Sequence, residues 1–448
     1  MMFSEINNGS VLVEGKTKVV KDIPAMPGRF LVGSKNVITA GDGLKQDVIE
    51  GKAVFSTMTT CNVFHLLKAC GIPVAFQEQV SPSHFITDAK EMLPYEVVVR
   101  REAHGSFLNR YPHLSKGHVF PKLILEFFAK TSGKKWKGNT IPMDDPLIKF
   151  VGGDVEFYLP HFTQEQKEES VKTGCKGYLF GNKPFMTVHK WNFFTTDNEE
   201  KLLEQMGQIA KETFLILEKA WQLQGKRLVD FKVEFGLTDK GELRLADVIN
   251  NDSWRLIGED GSYEDKQVYR DGGNLNEVTR KYRQISELTN LFTIPKQQII
   301  GWVGSEKDDK LFLHNTLADT GCWSFVKEKM IVYSAHKEPV KADALLRDSI
   351  QAIPDSVVVA LIGMSNGAGP TLSANCIVPV ITSPANAKEF PDDIWSSLRM
   401  PSSVPVMTVL NPKNAVLAGL QILAMRNPGI YAKLRLKQEE RFVNVVNI

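Results

Sequence analysis

The stretch Leu228-Val229-Asp230-Phe231-Lys232-Val233-Glu234-Phe235-Gly236 sets apolar side chains at Val229, Phe231, Val233 and Phe235 against charged ones at Asp230, Lys232 and Glu234. A period of two marks a strand with one face toward a core. Its other face is unusually charged, and something must compensate those charges. Upstream, Leu202, Met206, Ile209, Ala210, Phe214, Leu217 and Trp221 recur at helical spacing within Lys201 to Gln224. That segment is an amphipathic helix whose apolar stripe is core. Downstream, Asp239, Lys240 and Gly241 are the residues a tight turn prefers, so Glu242 to Val248 is expected to return as a hairpin strand. In that register Asp247 lies roughly opposite Glu234. Two carboxylates at close range stay ionised together only with a cation between them. Magnesium, held by these oxygens plus substrate phosphates, is the natural candidate; a lysine is the alternative.

The chain has 448 residues, enough for two or three domains. Its 54 Lys and Arg nearly balance 52 Asp and Glu, so no global field favours nucleic acid or an anionic membrane. Any anionic ligand must then be met locally. The first residues lack a basic region followed by an apolar one, and apolar runs such as Val357 to Ile362 are far too short to span a bilayer. The expectation is a soluble, cytoplasmic protein. Cys61, Cys70, Cys175, Cys322 and Cys376 are odd in number and widely spaced, which fits a reducing compartment and core packing better than a zinc site.

A polar helix over Leu275 to Leu291, ending before Pro295, reads as the connection between two halves. Beyond it, Ile299 to Val303, Met330 to Tyr333, Val357 to Ile362 and Ile377 to Ile381 are short apolar runs separated by helical stretches. This alternation predicts a doubly wound parallel sheet. Lys130 to Asn139 is a basic, glycine-containing insertion expected to form a mobile loop.

Glu14, Gly15, Lys16, Thr17 and Lys18 form a turn between two expected strands, with a glycine for close backbone approach and two lysines suited to a polyphosphate. The spacing is not that of a P-loop. Arg100, Arg101, Gly105 and Ser106 suit a carboxylate or phosphate. Asp252, Ser253, Trp254 and Arg255 follow the hairpin, and Asp265, Lys266, Gln267, Tyr269, Arg270 and Asp271 come soon after. In the second half, three loops sit where parallel strands end: Gly304 to Asp308, Ser334 to Lys337, and Gly363 to Gly369. Ligands of open α/β sheets bind there. Glycines and serines suit a phosphate monoester, and His336 is placed to transfer a proton.

VEGKTK at Val13 to Lys18, RREAHGSF at Arg100 to Phe107, LVDFKVEFG at Leu228 to Gly236, ADVINNDSWRL at Ala246 to Leu256 and DKQVYRD at Asp265 to Asp271 resemble SAICAR synthetase. The resemblance implies a two-lobed α+β ligase over residues 1–285 that joins the carboxylate of CAIR to L-aspartate with ATP and Mg2+, through an acyl phosphate. It assigns Gly15, Lys16, Lys18, Asp230 and Lys232 to ATP, with Asp230 on the ribose. Glu234 and Asp247 fall to magnesium, and Arg100, Ser106, Asp252, Ser253, Arg255, Lys266 and Arg270 to CAIR and aspartate. One departure follows LEFF at Leu125 to Phe128: where animal members carry paired acids, this chain has Ala129, Lys130, Thr131 and Ser132 before Asp145 and Pro146.

SAHK at Ser334 to Lys337, SNGAGP at Ser365 to Pro370 and DIWSSLRMPS at Asp393 to Ser402 resemble the class II AIR carboxylase that animals fuse to SAICAR synthetase. Residues 286–448 would then convert AIR and CO2 to CAIR without ATP or biotin, in a homo-octamer. By that resemblance Ser305, Asp308 and Ser334 bind AIR or CAIR, His336 moves the ring proton, and Lys337, Ser365, Asn366 and Gly367 shape the CO2 site. Two departures stand out: Lys307 where a serine is usual, and Met364 where an arginine is usual. They keep open a second reading, a diverged paralogue acting as a binding or scaffolding oligomer.

Overall fold

The computed structural model describes residues 3–40, 45–131, 133–136, 139–160, 183–194, 196 and 198–442. Cys175 and parts of the Lys130–Asn139 insertion lie outside the described residues. The chain divides into two compact units, Met1–Thr293 with Gln438–Ile448, and Ile294–Lys437.

The first unit opens with an antiparallel sheet of five strands in the order Val11–Glu14, Lys18–Asp22, Phe30–Ser34, His84–Thr87 and Phe76–Ser81. Its first two strands form the expected hairpin around the lysine-bearing turn. A larger antiparallel sheet follows, ordered Met186–His189, Asp154–Tyr158, Leu147–Val151, Val119–Ala129, Glu91–Glu102, Arg227–Leu237 and Leu243–Ala246, with Trp254–Ile257 also paired to Arg227–Leu237. Helix Glu199–Gln222 covers one face of this sheet, Phe214 packing edge-on against Phe231 at 5.4 Å. The period-two pattern of Arg227–Leu237 therefore turns Val229, Phe231, Val233 and Phe235 to the helix and Asp230, Lys232 and Glu234 to the opposite face.

The insertion differs from the expected loop. Lys135–Trp136 pairs with Asn139–Thr140, and Trp136 is buried, its ring 5.9 Å from Tyr95 and 6.0 Å from Phe193. One large aromatic side chain anchors it. Thr131 and Asp145 close its neck with reciprocal bonds of 2.8 Å, the Thr131 amide donating to Asp145 Oδ1 and the Asp145 amide to Thr131 Oγ1.

The second unit is a wholly parallel sheet, Lys327–Val332, Gln298–Val303, Ser356–Ile362, Val380–Pro384 and Val406–Thr408 in spatial order. Numbered along the chain this is 2-1-3-4-5, a doubly wound order whose direction reverses between Gln298–Val303 and Ser356–Ile362. Ser356–Ile362 is buried throughout, as a strand covered by helices on both faces must be. The run Ile377 to Ile381 does not mark the fourth strand: it starts at Val380, and Ile377 is fully exposed. Apolar content alone misplaced it by three residues.

Candidate active sites

The charged face of Arg227–Leu237 forms the floor of the first site. Cross-strand register sets Asp230 beside Arg100 on one neighbour and Arg255 on the other. Asp230 Oδ2 accepts from Arg100 Nη1 at 2.7 Å and also from Arg255 Nη1. Glu126 Oε2 accepts from Arg100 Nε at 2.7 Å, and its Oε1 accepts from Arg110. Three guanidinium groups against two carboxylates leave one net positive charge in a buried cluster. Burial alone would raise the Glu126 pKa, but Arg110 and Arg100 outweigh it and hold the carboxyl below its ordinary value. Asp230, grouped with ATP by resemblance, thus lies among the arginines grouped with CAIR and aspartate. Arg101 alternates to the opposite face, where its Nε donates to Glu218 of the covering helix at 2.6 Å. Ser106 opens the short helix Ser106–Arg110. The preceding Gly105 has φ of 58°, a conformation that favours glycine, and a methyl group there would lie 2.4 Å from Arg255 Nη2, which would have to shift.

Two residues along the same face, the charges change in kind. Lys232 pairs with Glu96 and lies 3.9 Å from Glu234. Lys130 donates to Glu234, and Lys18 from the hairpin turn donates to Asp247. Ala246, not Asp247, is opposite Glu234. Asp247 stands one residue beyond, in a left-handed conformation with φ of 59°. Desolvation would raise the Glu234 pKa, but Lys130, Lys232 and Lys18 together hold it down. Burial lowers the Lys18 ammonium to about 8, the field of Glu234 opposing and those of Lys130 and Lys232 assisting. Lysines therefore compensate the two acids here. Among the described residues no group of three or more His, Cys, Asp or Glu could hold a metal. Glu234 and Asp247 nonetheless offer the hard oxygen donors magnesium takes when substrate phosphates complete its shell. Gly15 and Lys16 lie in the same hairpin turn, Lys16 exposed.

A third cluster surrounds Asp252. Its Oδ2 accepts from Lys52 at 3.0 Å, its Oδ1 accepts from the Tyr282 hydroxyl at 2.7 Å, and Lys266 Nζ is 3.5 Å away. Burial opposes ionisation of Asp252, but Lys52 and Lys266 dominate and its pKa falls well below the usual range. Ser253 is used locally, donating to the Val248 carbonyl at 2.8 Å. Arg270 is exposed and donates to Gln267 at 3.3 Å. Sequence reasoning missed Lys52, Arg110, Glu126 and Tyr282 as members of these clusters.

In the second unit the three strand-end loops converge on one cavity of about 660 Å³, lined among others by Ser305, Asp308, Ser334, His336, Lys337 and Met364. Asp308 Oδ2 accepts from the Ser305 amide at 2.8 Å. A methyl group at Gly363 would lie 2.8 Å from Asp308 Oδ1, so the first and third loops touch there. A methyl group at Gly367 would lie 3.3 Å from His336 Nε2, which brings the second loop against the third. Ser365 takes a left-handed φ of 54°. Asn366, grouped with the reacting residues by resemblance, is fully buried: its amide donates to Asp393, its Nδ2 to Ser397 Oγ at 2.6 Å, and its Oδ1 accepts from Thr382 at 2.6 Å. It holds the loop in shape.

A charged strand face in an antiparallel sheet, together with a strand-end cavity on a parallel one, defines a two-unit enzyme handling anionic small molecules. Residues 11–140 and 182–288 match the SAICAR synthetase family, and residues 302–442 match AIR carboxylase. The chain is 33% identical to the probable multifunctional protein ADE2 of Caenorhabditis elegans, over 99% of this chain and 97% of that one. It is 36% identical to the multifunctional protein ADE2 of Gallus gallus, over 96% and 94% respectively. A phosphoribosylaminoimidazole-succinocarboxamide synthase from Ehrlichia chaffeensis superposes with a TM-score of 0.47 at 23% identity, covering 63% of this chain and 99% of that one. The chain belongs to the family of bifunctional AIR carboxylase/SAICAR synthetases, which combine a lyase and an ATP-dependent ligase of de novo purine biosynthesis. No helix among the described residues is long and apolar enough to cross a membrane.

Proposed function

We propose that the second unit carboxylates AIR with CO2 to CAIR, and that the first joins CAIR to L-aspartate with ATP and Mg2+ to give SAICAR. The observation that carries the ligase half is the shared strand face, where a net cationic arginine cluster adjoins Glu234, Asp247 and three lysines. Phosphoryl transfer is mostly positioning and charge neutralisation, so this adjacency supplies what the step needs. Lys18 and Lys232, with Gly15 and Lys16 in the turn, orient the ATP phosphates; Glu234 and Asp247 hold the magnesium. Bound magnesium would neutralise charge developing on the transferring phosphoryl group. Arg100 and Arg255 receive the carboxylate of CAIR, and Ser106, Lys266 and Arg270 position the remaining anionic groups. Asp230 and Asp252 keep these cations in place. In the second unit His336 takes the ring proton as the new carbon–carbon bond forms, with Lys337, Ser365 and Gly367 beside the entering CO2.

We further propose a cytoplasmic homo-octamer whose partners are small molecules alone, the expected boundary at residues 285 and 286 moving to Thr293 and Ile294, beyond the helix Leu275–Thr289. Fusion would raise the local concentration of CAIR for the ligase.

The test is a split assay on the full chain, AIR with bicarbonate alone and CAIR with ATP, Mg2+ and aspartate, each followed by product mass. Turnover is expected in both, and chelating magnesium stops ligation while sparing carboxylation. Silence in both from a folded chain replaces this reading with a scaffolding oligomer.

A pH profile probes Lys18 specifically. Its ammonium is charged below about 8 and neutral above, and only the charged form attracts phosphate. The kcat/KM for ATP should therefore fall as pH rises through about 8, because that ratio reports the free enzyme. Lys18→Arg should move the fall to higher pH; a profile flat across this range in the unmodified chain removes Lys18 from the phosphate site.

A further inference from the structure

In the second unit the cavity contains no arginine among its described lining residues. Its cations are Lys307, Lys337 and, when protonated, His336. Lys310, three residues past Lys307, is paired with Glu306 at 2.6 Å. The ammonium groups of Lys307 and Lys337, by contrast, have no ion pair or hydrogen bond among the described residues. Both nearby acids are engaged by backbone, Asp308 by the Ser305 amide and Asp309 by the Leu311 amide, each at 2.8 Å.

The position of Lys307 is set by topology. The first and third loops leave the two strands between which sheet order reverses, where Val303 is in register with Leu361. They meet at the Asp308–Gly363 approach. Lys307 is the residue before one partner of that approach and Met364 the residue after the other. Met364 is 69% exposed at the cavity and can offer an anion nothing. The third loop thus brings no cation to this crevice, whereas the first brings Lys307.

We propose that Lys307 binds the phosphate of the imidazole ribotide in this unit, Met364 leaving the third loop without a cationic side chain. This rests on the carboxylase reading above. An ammonium on a flexible stem replaces the planar fork an arginine would supply, so it recognises phosphate as a point charge.

In the full chain, Lys307→Ser should raise KM for AIR by about tenfold to a hundredfold, the worth of a charge-assisted hydrogen bond, with the loss on KM rather than kcat. Lys307→Arg should keep KM near that of the unmodified chain. Adding Met364→Arg to Lys307→Ser should restore much of the lost affinity. Inorganic phosphate, used as a competitor of AIR, should inhibit the unmodified chain more strongly than Lys307→Ser. Unchanged KM and unchanged phosphate inhibition in Lys307→Ser overturn the assignment, as does a fall confined to kcat. If the unmodified chain does not turn over AIR, the carboxylase reading fails by itself. Calorimetric titration with inorganic phosphate then decides Lys307 alone: weaker binding in Lys307→Ser supports it, and equal binding overturns it.

Discussion

His336→Ala is expected to abolish CAIR formation from AIR while leaving the ligation of supplied CAIR intact. The imidazole reaches the third loop beside Gly367, in the cavity formed by the strand ends, and no other histidine is among that cavity's described lining residues. Loss of a positioned general acid–base group costs about 10²–10⁴-fold in rate. Nothing in the antiparallel sheet of the first unit depends on this side chain. Parallel assays of the two half-reactions on the purified variant provide the check. Equal loss of both activities would argue against two separate centres.

Glu234→Ala is expected to do the reverse, lowering ligation by about 10²–10³-fold, the usual effect of deleting one preorganised electrostatic group. Two consequences follow from the same deletion. Lys130 and Lys232 lose a shared carboxylate, and one of the proposed magnesium donors is gone. Lys18 also loses the charge that raises its pKa, so its ammonium should deprotonate at lower pH than in the unmodified chain. A repeated pH profile of kcat/KM for ATP, together with the magnesium dependence of ligation, measures both. Ligation that survives Glu234→Ala at the original rate and the original magnesium requirement would take Glu234 out of the metal site.

The parts of this molecule legible in its sequence were those where one local rule dominates. The alternation in Leu228 to Gly236 specified both the strand and its charged face. The turn at Asp239 to Gly241 specified the hairpin, though the register of Asp247 was off by one because Asp247 leaves the ladder with positive φ. The strand-end loops of the second unit followed from sheet topology. What stayed hidden was set by partners distant in sequence. Asp230 reads along the chain as one of three charges on a strand face that something must compensate, and its partner is known only when Arg100, 130 residues away, pairs across the sheet. Lys52 and Asp252 are 200 residues apart. Asn366 shows none of its partners in its motif, since Asp393, Ser397 and Thr382 reach it from other parts of the chain. The insertion appears as a charged loop until Trp136 finds Tyr95 and Phe193.

The arginine cluster of the first unit also bears on the thermodynamics of encounter. A free arginine side chain carries about 2 kcal/mol of rotamer entropy, and a binding site with mobile arginines must give up that freedom each time a ligand arrives. Here Glu126 and Asp230 immobilise Arg100, Arg110 and Arg255 when the sheet forms. Their ordering cost is met in folding, so an anion bound there, as proposed for the CAIR carboxylate, would meet guanidinium groups already at rest.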